Sequence, residues 1–283
     1  MTPAQISYRR HKSFLEVPIV NDVYWPKIPR FACDGVMLDL EDSVPLALKE
    51  QARRKLADIL DETEVIGGKT PLIRVNNLGS GWGNDDLRML GSHRANLVIC
   101  YPKLESVSEL TAAAAIVSEG GRDPLFHVMI ESYRGLRCVD EILARDCVVG
   151  VHFGYIDYGL DVGCRIFSDD GDDLFTPALT TPRAQIAASA ASRGILSTGG
   201  SLIPDFRDLA KVGRFVRSWR DNGYTGCIAV SPTHLQTIHD NIGPSTAEID
   251  HAKRVRQSNP SDRGFSFIDR MLAEQTMRKI DSV

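Results

Sequence analysis

Eight short apolar runs, separated by segments of helical periodicity, limit most strongly what this chain can fold into. Runs such as Gly35–Leu40 and Leu97–Tyr101 are apolar on consecutive positions, which is typical of parallel strands buried on both faces. Eight such strands with helical crossovers favour a closed barrel over an open doubly wound sheet. The runs are Phe14–Pro18, Gly35–Leu40, Leu72–Val75, Leu97–Tyr101, Leu125–Ile130, Val148–Phe153, Ile195–Ile203 and Cys227–Val230.

Between most of the runs, apolar residues recur at three- and four-residue intervals, as on one face of a helix. The glycine-rich stretch 79–83 lacks the Lys–Ser/Thr of a phosphate-binding P-loop and is predicted to precede a helix that begins near Asn84. The stretch 168–182 is rich in Asp, Gly, Thr and Pro, lacks EF-hand spacing, and is predicted to be a solvated loop. The predicted helices are Leu46–Leu60, Ser106–Glu119, Leu136–Arg145, Arg183–Arg193 and Asp205–Asp221.

The length and the absence of a linker indicate one α/β domain. A chain of 283 residues falls within the range of a single (β/α)8 TIM barrel, and it shows no internal repeat or low-complexity segment. We predict a catalytic barrel over 1–242 and a C-terminal helical extension over 243–283. The extension is predicted to contain helices Thr246–Gln257 and Phe265–Ile280, with a break at Asn259–Pro260.

Composition excludes several classes of protein. The net charge of −4 offers no basic surface for nucleic acid, and no apolar run approaches the roughly 20 residues that span a bilayer. The six cysteines form no C-x-x-C pair, which argues against a zinc cluster and a disulfide scaffold. The N-terminal residues do not resemble a secretory signal, so we expect no membrane partner and a cytoplasmic location.

Polar residues follow five consecutive runs, at the strand ends where TIM-barrel enzymes carry their active sites. One acidic residue after a strand is usually a helix N-cap or a solvated loop residue, but a set in register indicates a site. The set comprises Asp39, Glu41 and Asp42 at the end of the second run, Arg74, Asn76 and Asn77 at the end of the third, Lys103 after the fourth, Glu131 after the fifth and Asp157 after the sixth.

Glu131 and Asp157 end adjacent strands, so their carboxylates are able to converge on one hard cation. Mg2+ prefers such oxygen ligands and keeps its other positions for water and substrate oxygens; Mn2+ is an alternative. A competing interpretation pairs these carboxylates with arginines such as Arg134 or Arg165.

Arg74 offers a planar, permanently charged donor for a carboxylate or an enolate oxygen. Its competing interpretation is an ion pair with Glu41 or Asp42. His152 lies within an apolar run and is predicted to be a core residue rather than a base, and Cys227 has no visible histidine partner.

The strand-end motifs resemble the HpcH/HpaI aldolase/citrate lyase family, in its branch of citrate lyase β-subunits, malyl-CoA lyases and citramalyl-CoA lyases. The ordered set spans nearly the whole chain. It comprises Ser13-x-Leu15-x-Val17-Pro18, the stretch 34–44, Arg74-Val-Asn76 with Gly81-Trp-Gly-x-x-Asp86-Leu, Pro102-Lys103, Ile130-Glu131, Phe153-Gly-x-x-Asp157 and Pro204-Asp-Phe-x-Asp208.

The resemblance implies a Mg2+-dependent barrel that makes or breaks a carbon–carbon bond between a 2-oxo acid and an enolate. The implied substrate is a 2-oxo acid or β-hydroxy acid, or a CoA thioester, and the implied assembly is a homo-oligomer, a trimer by family resemblance. We predict Glu131 and Asp157 as metal ligands, Arg74, Glu41 and Asp42 as catalytic residues, and Asn76, Lys103 and Lys12 as substrate-binding residues.

The chain also departs from the family pattern where CoA binding and proton transfer would be decided. Ala273, with Glu274 beside it, stands where malyl-CoA-type members carry a proton-transfer Asp, and Ser231 replaces the His of the motif after the last strand. We therefore keep two alternatives to a CoA-thioester lyase. One is a divergent biosynthetic member with a non-CoA substrate, and the other is a metabolite-binding barrel that has lost lyase activity.

Overall fold

The computed structural model is a barrel of eight parallel strands closed in chain order. The structure describes residues 3–62, 66–173, 176–258 and 264–281. The strands are β1 Ser13–Pro18, β2 Gly35–Asp39, β3 Thr70–Arg74, β4 Val98–Tyr101, β5 Phe126–Ile130, β6 Val148–Phe153, β7 Leu196–Gly200 and β8 Gly226–Ala229. Each strand pairs with the next, and β8 pairs with β1, which confirms the predicted (β/α)8 barrel.

The barrel interior is apolar near its N-terminal end and polar near its C-terminal end. Phe14 of β1 and Leu72 of β3 belong to a buried cluster inside the barrel, separate from the larger core between barrel and helices. Side chains on a strand alternate between its two faces, so the next inward positions are Glu16 and Arg74. The strands thus bring charged groups together at one end of the barrel.

Helices surround the barrel, and they match the predictions in most places. The α-helices are α1 Pro3–Arg9, α2 Lys49–Asp61, α3 Gly83–Ser92, α4 Val107–Glu119, α5 Tyr133–Arg137, α6 Val139–Leu143, α7 Tyr155–Asp161, α8 Pro177–Arg193, α9 Leu209–Asp221, α10 His234–Ile242, α11 Thr246–Gln257 and α12 Phe267–Asp281. Short 3-10 helices cover Trp25–Arg30, Leu46–Leu48 and Leu78–Ser80.

Two predicted elements were wrong. The predicted loop 168–182 ends early, because α8 begins at Pro177, where a proline in the first turn loses no helical hydrogen bond. The single helix predicted over Leu136–Arg145 is instead the pair α5 and α6, which meet at Cys138.

Helix α1 packs against the N-terminal end of the barrel. Tyr8 is buried, lies 5.6 Å from Phe14 between ring centroids, and bonds through its hydroxyl to Nδ1 of His127, 2.8 Å away. Lys12 lies between α1 and β1, where its backbone N–H donates to Oδ2 of Asp34 over 2.7 Å.

The C-terminal helices α11 and α12 pack against each other around Ala252, Val255 and Ala273. Ser245 and Glu248 form a capping box that starts α11. The predicted break at Asn259–Pro260 lies outside the described residues, and the division into two domains stays a prediction. Among the described residues, none of the helices combines the length and apolar character that crossing a bilayer requires.

Candidate active site

Glu131 is buried at the end of β5, where a glycine makes room for it. A Cβ atom built on Gly154 would lie 2.3 Å from Oε1 of Glu131, so no larger residue fits there without moving the carboxylate. Oε2 accepts a hydrogen bond of 2.8 Å from the backbone N–H of Lys103. Burial first, and then the neighbouring carboxylates of Glu41 and Asp157, raise the pKa of Glu131 to about 8.

These observations fit a divalent cation. No salt bridge to Glu131 or Asp157 exists within the described residues, and the two arginines considered as partners bind elsewhere: Arg134 pairs with Glu105 and Arg165 with Asp169. A buried carboxylate crowded by other carboxylates is stabilised by a cation. The described residues hold no group of three or more His, Cys, Asp or Glu placed around one metal position, so water and substrate would supply the other ligands.

Arg74 is held rigidly at the end of β3. Its Nε and Nη2 donate to the two carboxylate oxygens of Asp39 over 2.6 and 2.8 Å, and Nη2 also donates to Glu16 over 2.8 Å. Although burial alone would raise it, the hydrogen bonds and charge of Arg74 hold the pKa of Asp39 below its usual value. Among the described residues Nη1 of Arg74 has no partner, and it is not a buried atom.

The alternative interpretation of Arg74 was an ion pair with Glu41 or Asp42. Arg74 does form ion pairs, but its main partners are other residues. Asp39 is the principal partner, while Glu41 lies 3.6 Å from Nε and no bond to Asp42 is present in the described chain. Glu16 was missed altogether, although its inward position two residues after Phe14 on β1 was a readable signal.

Glu41, Asp42 and Lys103 contact one another at the C-terminal end of the barrel, where polar residues were predicted to meet. Nζ of Lys103 donates to Glu41 over 2.7 Å and to Asp42 over 3.2 Å. Burial raises the pKa of Glu41. Lys103 has a backbone φ of 51°, an unusual value for a residue with a side chain, and the hydrogen bond from its N–H to Glu131 stabilises this conformation.

Asn76 does not fit its predicted role in substrate binding. It is buried, its Nδ2 donates to Leu40 and Asp86 over 3.0 and 2.7 Å, and its Oδ1 accepts from Lys49 over 2.7 Å. Its amide is occupied by partners from three other segments, so Asn76 links β3 to its surroundings instead of facing a ligand.

Lys12 does not fit its predicted role either. It precedes β1, whereas the carboxylates follow β2, β5 and β6 at the opposite ends of parallel strands. A strand of six residues rises about 20 Å, too far for a lysine side chain to cross to the other end of the barrel. The motif predicted the strand correctly, but Lys12 lies at the N-terminal end of that strand, away from the carboxylates.

Comparison with known proteins shows the family of this chain. The family model for HpcH/HpaI aldolase/citrate lyase matches residues 12–232. The chain belongs to this family. A (3S)-malyl-CoA thioesterase of Cereibacter sphaeroides is 26% identical over 96% of this chain and 95% of its own length. The citrate lyase β-subunit of Escherichia coli is 28% identical over 87% of this chain and 82% of its own length.

Solved structures share the fold of this chain. CitE of Mycobacterium tuberculosis, in complex with magnesium, acetoacetate and coenzyme A, gives a TM-score of 0.79 at 24% identity and covers 96% of this chain and 99% of its own. RipC of Yersinia pestis gives 0.68 at 26% identity and covers 86% and 99%. The fold of this chain is thus shared with both proteins.

Proposed function

We propose that this protein is a Mg2+-dependent lyase that cleaves, or in reverse forms, a carbon–carbon bond of a β-hydroxy acid or its CoA thioester. The observation that carries the proposal is Glu131, a buried carboxylate beside Asp157 with a raised pKa and no cationic side chain paired to it in the described residues. When bound, Mg2+ would stabilise the negative charge that develops on the oxygen of the 2-oxo fragment.

Arg74 binds and orients the other half of the substrate in this proposal. Asp39 and Glu16 fix its guanidinium, so the N–H groups on Nη1 point in a set direction without loss of side-chain freedom on binding. A carboxylate or enolate oxygen at Nη1 would gain a charge-assisted hydrogen bond.

Glu41 is the group that we propose to take the hydroxyl proton as the carbon–carbon bond breaks. Burial raises its pKa above the usual glutamate value, which makes its carboxylate a stronger base. Lys103 holds Oε1 of Glu41, and the half-exposed Asp42 in turn positions Lys103. Asp42 thus acts through Lys103.

A non-CoA substrate is the second candidate, and Ala273 favours it. This residue is buried against Ala252 and Val255 of α11, so its position is used for packing within the tail. Glu274 points to solvent and pairs with Arg278 over 2.7 Å, one turn further along α12. In this proposal neither residue takes the role that the resemblance assigns to an Asp in malyl-CoA-type members.

The two candidates are separated by a binding screen. Melting temperatures are measured with Mg2+ alone and with Mg2+ plus oxaloacetate, pyruvate, glyoxylate or acetyl-CoA, because binding to the folded state raises the melting temperature. A response to a 2-oxo acid supports the lyase proposal, and a further response to acetyl-CoA supports the thioester substrate. No response to Mg2+ with any 2-oxo acid would contradict both.

A further inference from the structure

A row of hydrogen-bonded side chains runs through the barrel interior from α1 toward the candidate site. The Tyr8 hydroxyl lies 2.8 Å from Nδ1 of His127, whose Nε2 lies 3.0 Å from Oγ1 of Thr198. The same Oγ1 lies 3.0 Å from Nδ1 of His152. All four residues are buried and come from four different elements.

Each hydrogen bond in this row is donated in the same direction, away from Tyr8 and toward His152. Tyr8 has no hydrogen-bond partner other than His127 among the described residues, so its proton is satisfied only if the hydroxyl donates to Nδ1. Burial lowers the pKa of His127 to about 3, so the ring is neutral and carries its one proton on Nε2, which donates to Thr198.

The Thr198 hydroxyl, which accepts from His127, donates in turn to His152. Its hydroxyl has two acceptors within reach, Nδ1 of His152 at 3.0 Å and the carbonyl of Val151 at 3.5 Å, and the shorter bond is the stronger one. Burial also lowers the pKa of His152 to about 3, so this ring is neutral as well. With Nδ1 accepting from Thr198, the single proton of this ring is assigned to Nε2.

The His152 ring lies close to the candidate site, since the charge of Arg74 adds to burial in lowering its pKa. His152 is an inward residue of β6, two positions before Gly154, the glycine that accommodates Glu131. The next strand carries Gly200 at the level of the imidazole, and even a Cβ atom built there would stay 4.0 Å from Cε1. Among the described residues the side-chain hydrogen bond of the His152 ring is made at Nδ1 and none is found at Nε2, which leaves Nε2 for a ligand.

We propose that His152 binds the substrate through an Nε2–H that donates to an oxygen of the 2-oxo acid or of the enolate formed from it. Tyr8, His127 and Thr198 are positioning residues that fix this tautomer from inside the barrel. The substrate class rests on the proposed function, whereas the tautomer does not. A neutral, fixed donor suits an oxygen on which negative charge develops.

The tautomer is tested first, by NMR of protein labelled with 15N-histidine. In the wild type, the long-range couplings of His152 are expected to show Nε2 protonated, and in Tyr8→Phe a mixture of both tautomers, because Tyr8→Phe removes the donor that orders the row. Protonation of His152 at Nδ1 in the wild type would overturn the inference, as would an unchanged spectrum of His127 and His152 in Tyr8→Phe.

Ligand binding is tested by calorimetry with oxaloacetate in the presence of Mg2+. His152→Phe is expected to weaken oxaloacetate binding by tenfold or more, while His152→Gln, which keeps an N–H donor near the Nε2 position, recovers most of that loss. Both variants should bind Mg2+ alone as the wild type does. His251→Gln on α11, a partly exposed histidine, serves as the matched control.

Wild-type oxaloacetate affinity in His152→Phe would overturn the role in binding. If the wild type itself binds Mg2+ but no 2-oxo acid, the proposed function fails, and the NMR result still decides whether His152 presents a donor.

Discussion

In the proposed function Glu131 holds the cation: Gly154 leaves space for its carboxylate, the Lys103 amide fixes one oxygen, and Asp157 lies in the first turn of α7, which follows the next strand. We expect Glu131→Gln and Asp157→Asn each to weaken Mg2+ binding at least tenfold while the protein stays folded, because each change removes a hard anionic ligand at nearly constant volume. Titration calorimetry with Mg2+ measures this. Glu119→Gln on the exposed face of α4 is the control, and wild-type affinity in both site variants would contradict the assignment.

Arg74 makes three hydrogen bonds to Asp39 and Glu16, a pattern that a lysine cannot reproduce. We expect Arg74→Lys to lower kcat/KM for the true substrate by an order of magnitude or more, because the single ammonium lacks the planar fork. Arg134→Lys, at an exposed ion pair, is the matched control and should keep wild-type activity. Equal activity in both variants would make Arg74 a purely structural residue.

At the residue scale, the sequence allowed us to predict which side chains lie at the rim of the barrel. It was less informative about the residues that these side chains contact. The ends of strands are readable from apolar runs, so Glu41, Lys103, Glu131 and Asp157 could be placed. The role of Asn76 could not be read, because its partners come from segments that only the fold brings together.

At the level of elements, α8 is anchored by a buried ion pair. The guanidinium of Arg183 is fully buried, pairs with Asp173 and lies 4.4 Å from the Trp219 ring centroid. We expect Asp173→Ala to lower the free energy of unfolding by about 3 kcal/mol, since it leaves a buried charge without its main counterion. Urea denaturation measures it. Asp172→Ala, at a half-exposed pair with Arg214, should cost under about 1 kcal/mol, and equal losses would show that burial is not the cause.

The departure from the malyl-CoA-type pattern at Ala273 and Glu274 lies on the C-terminal helix α12. Side chains on a helix turn by about 100° per residue, so Glu274 lies on a different face from Ala273, in solvent. We expect Glu274→Ala to change activity on the true substrate less than tenfold, and the wild type to show little malyl-CoA lyase activity. Steady-state assays decide this. A robust malyl-CoA rate that collapses in Glu274→Ala would mean that proton transfer moved by one residue.

Some helices and strands could be predicted from the sequence more accurately than others. Strands buried on both faces leave an unbroken apolar signature, and all eight were found. The start of α8 was missed because Thr and Pro are common both in loops and in the first turn of a helix. The break between α5 and α6 falls in a continuous helical pattern, and periodicity does not record it.

For the whole molecule, the predicted homo-oligomer stays a prediction, and one surface supports it. Helix α12 exposes an apolar group consisting of Phe267, Ile268, Met271 and Leu272, each more than half exposed. Such a group on one helix is typical of a protein contact. We expect sedimentation velocity to show a trimer and the double variant Phe267→Asp/Met271→Asp to shift it toward the monomer. Asp250→Asn on α11 is the control, and a monomeric wild type would contradict the prediction.

Gly154 has a consequence for which mutations this molecule tolerates. Because a single added methyl group would collide with Oε1 of Glu131, the shape of the proposed cation position depends on the absence of a side chain at Gly154 as much as on the carboxylates. At Gly163, where the φ of 67° is strained for other residues but no atom lies within 4 Å, the same methyl costs stability alone. Substituting these two glycines by alanine would therefore separate loss of the site from loss of the fold.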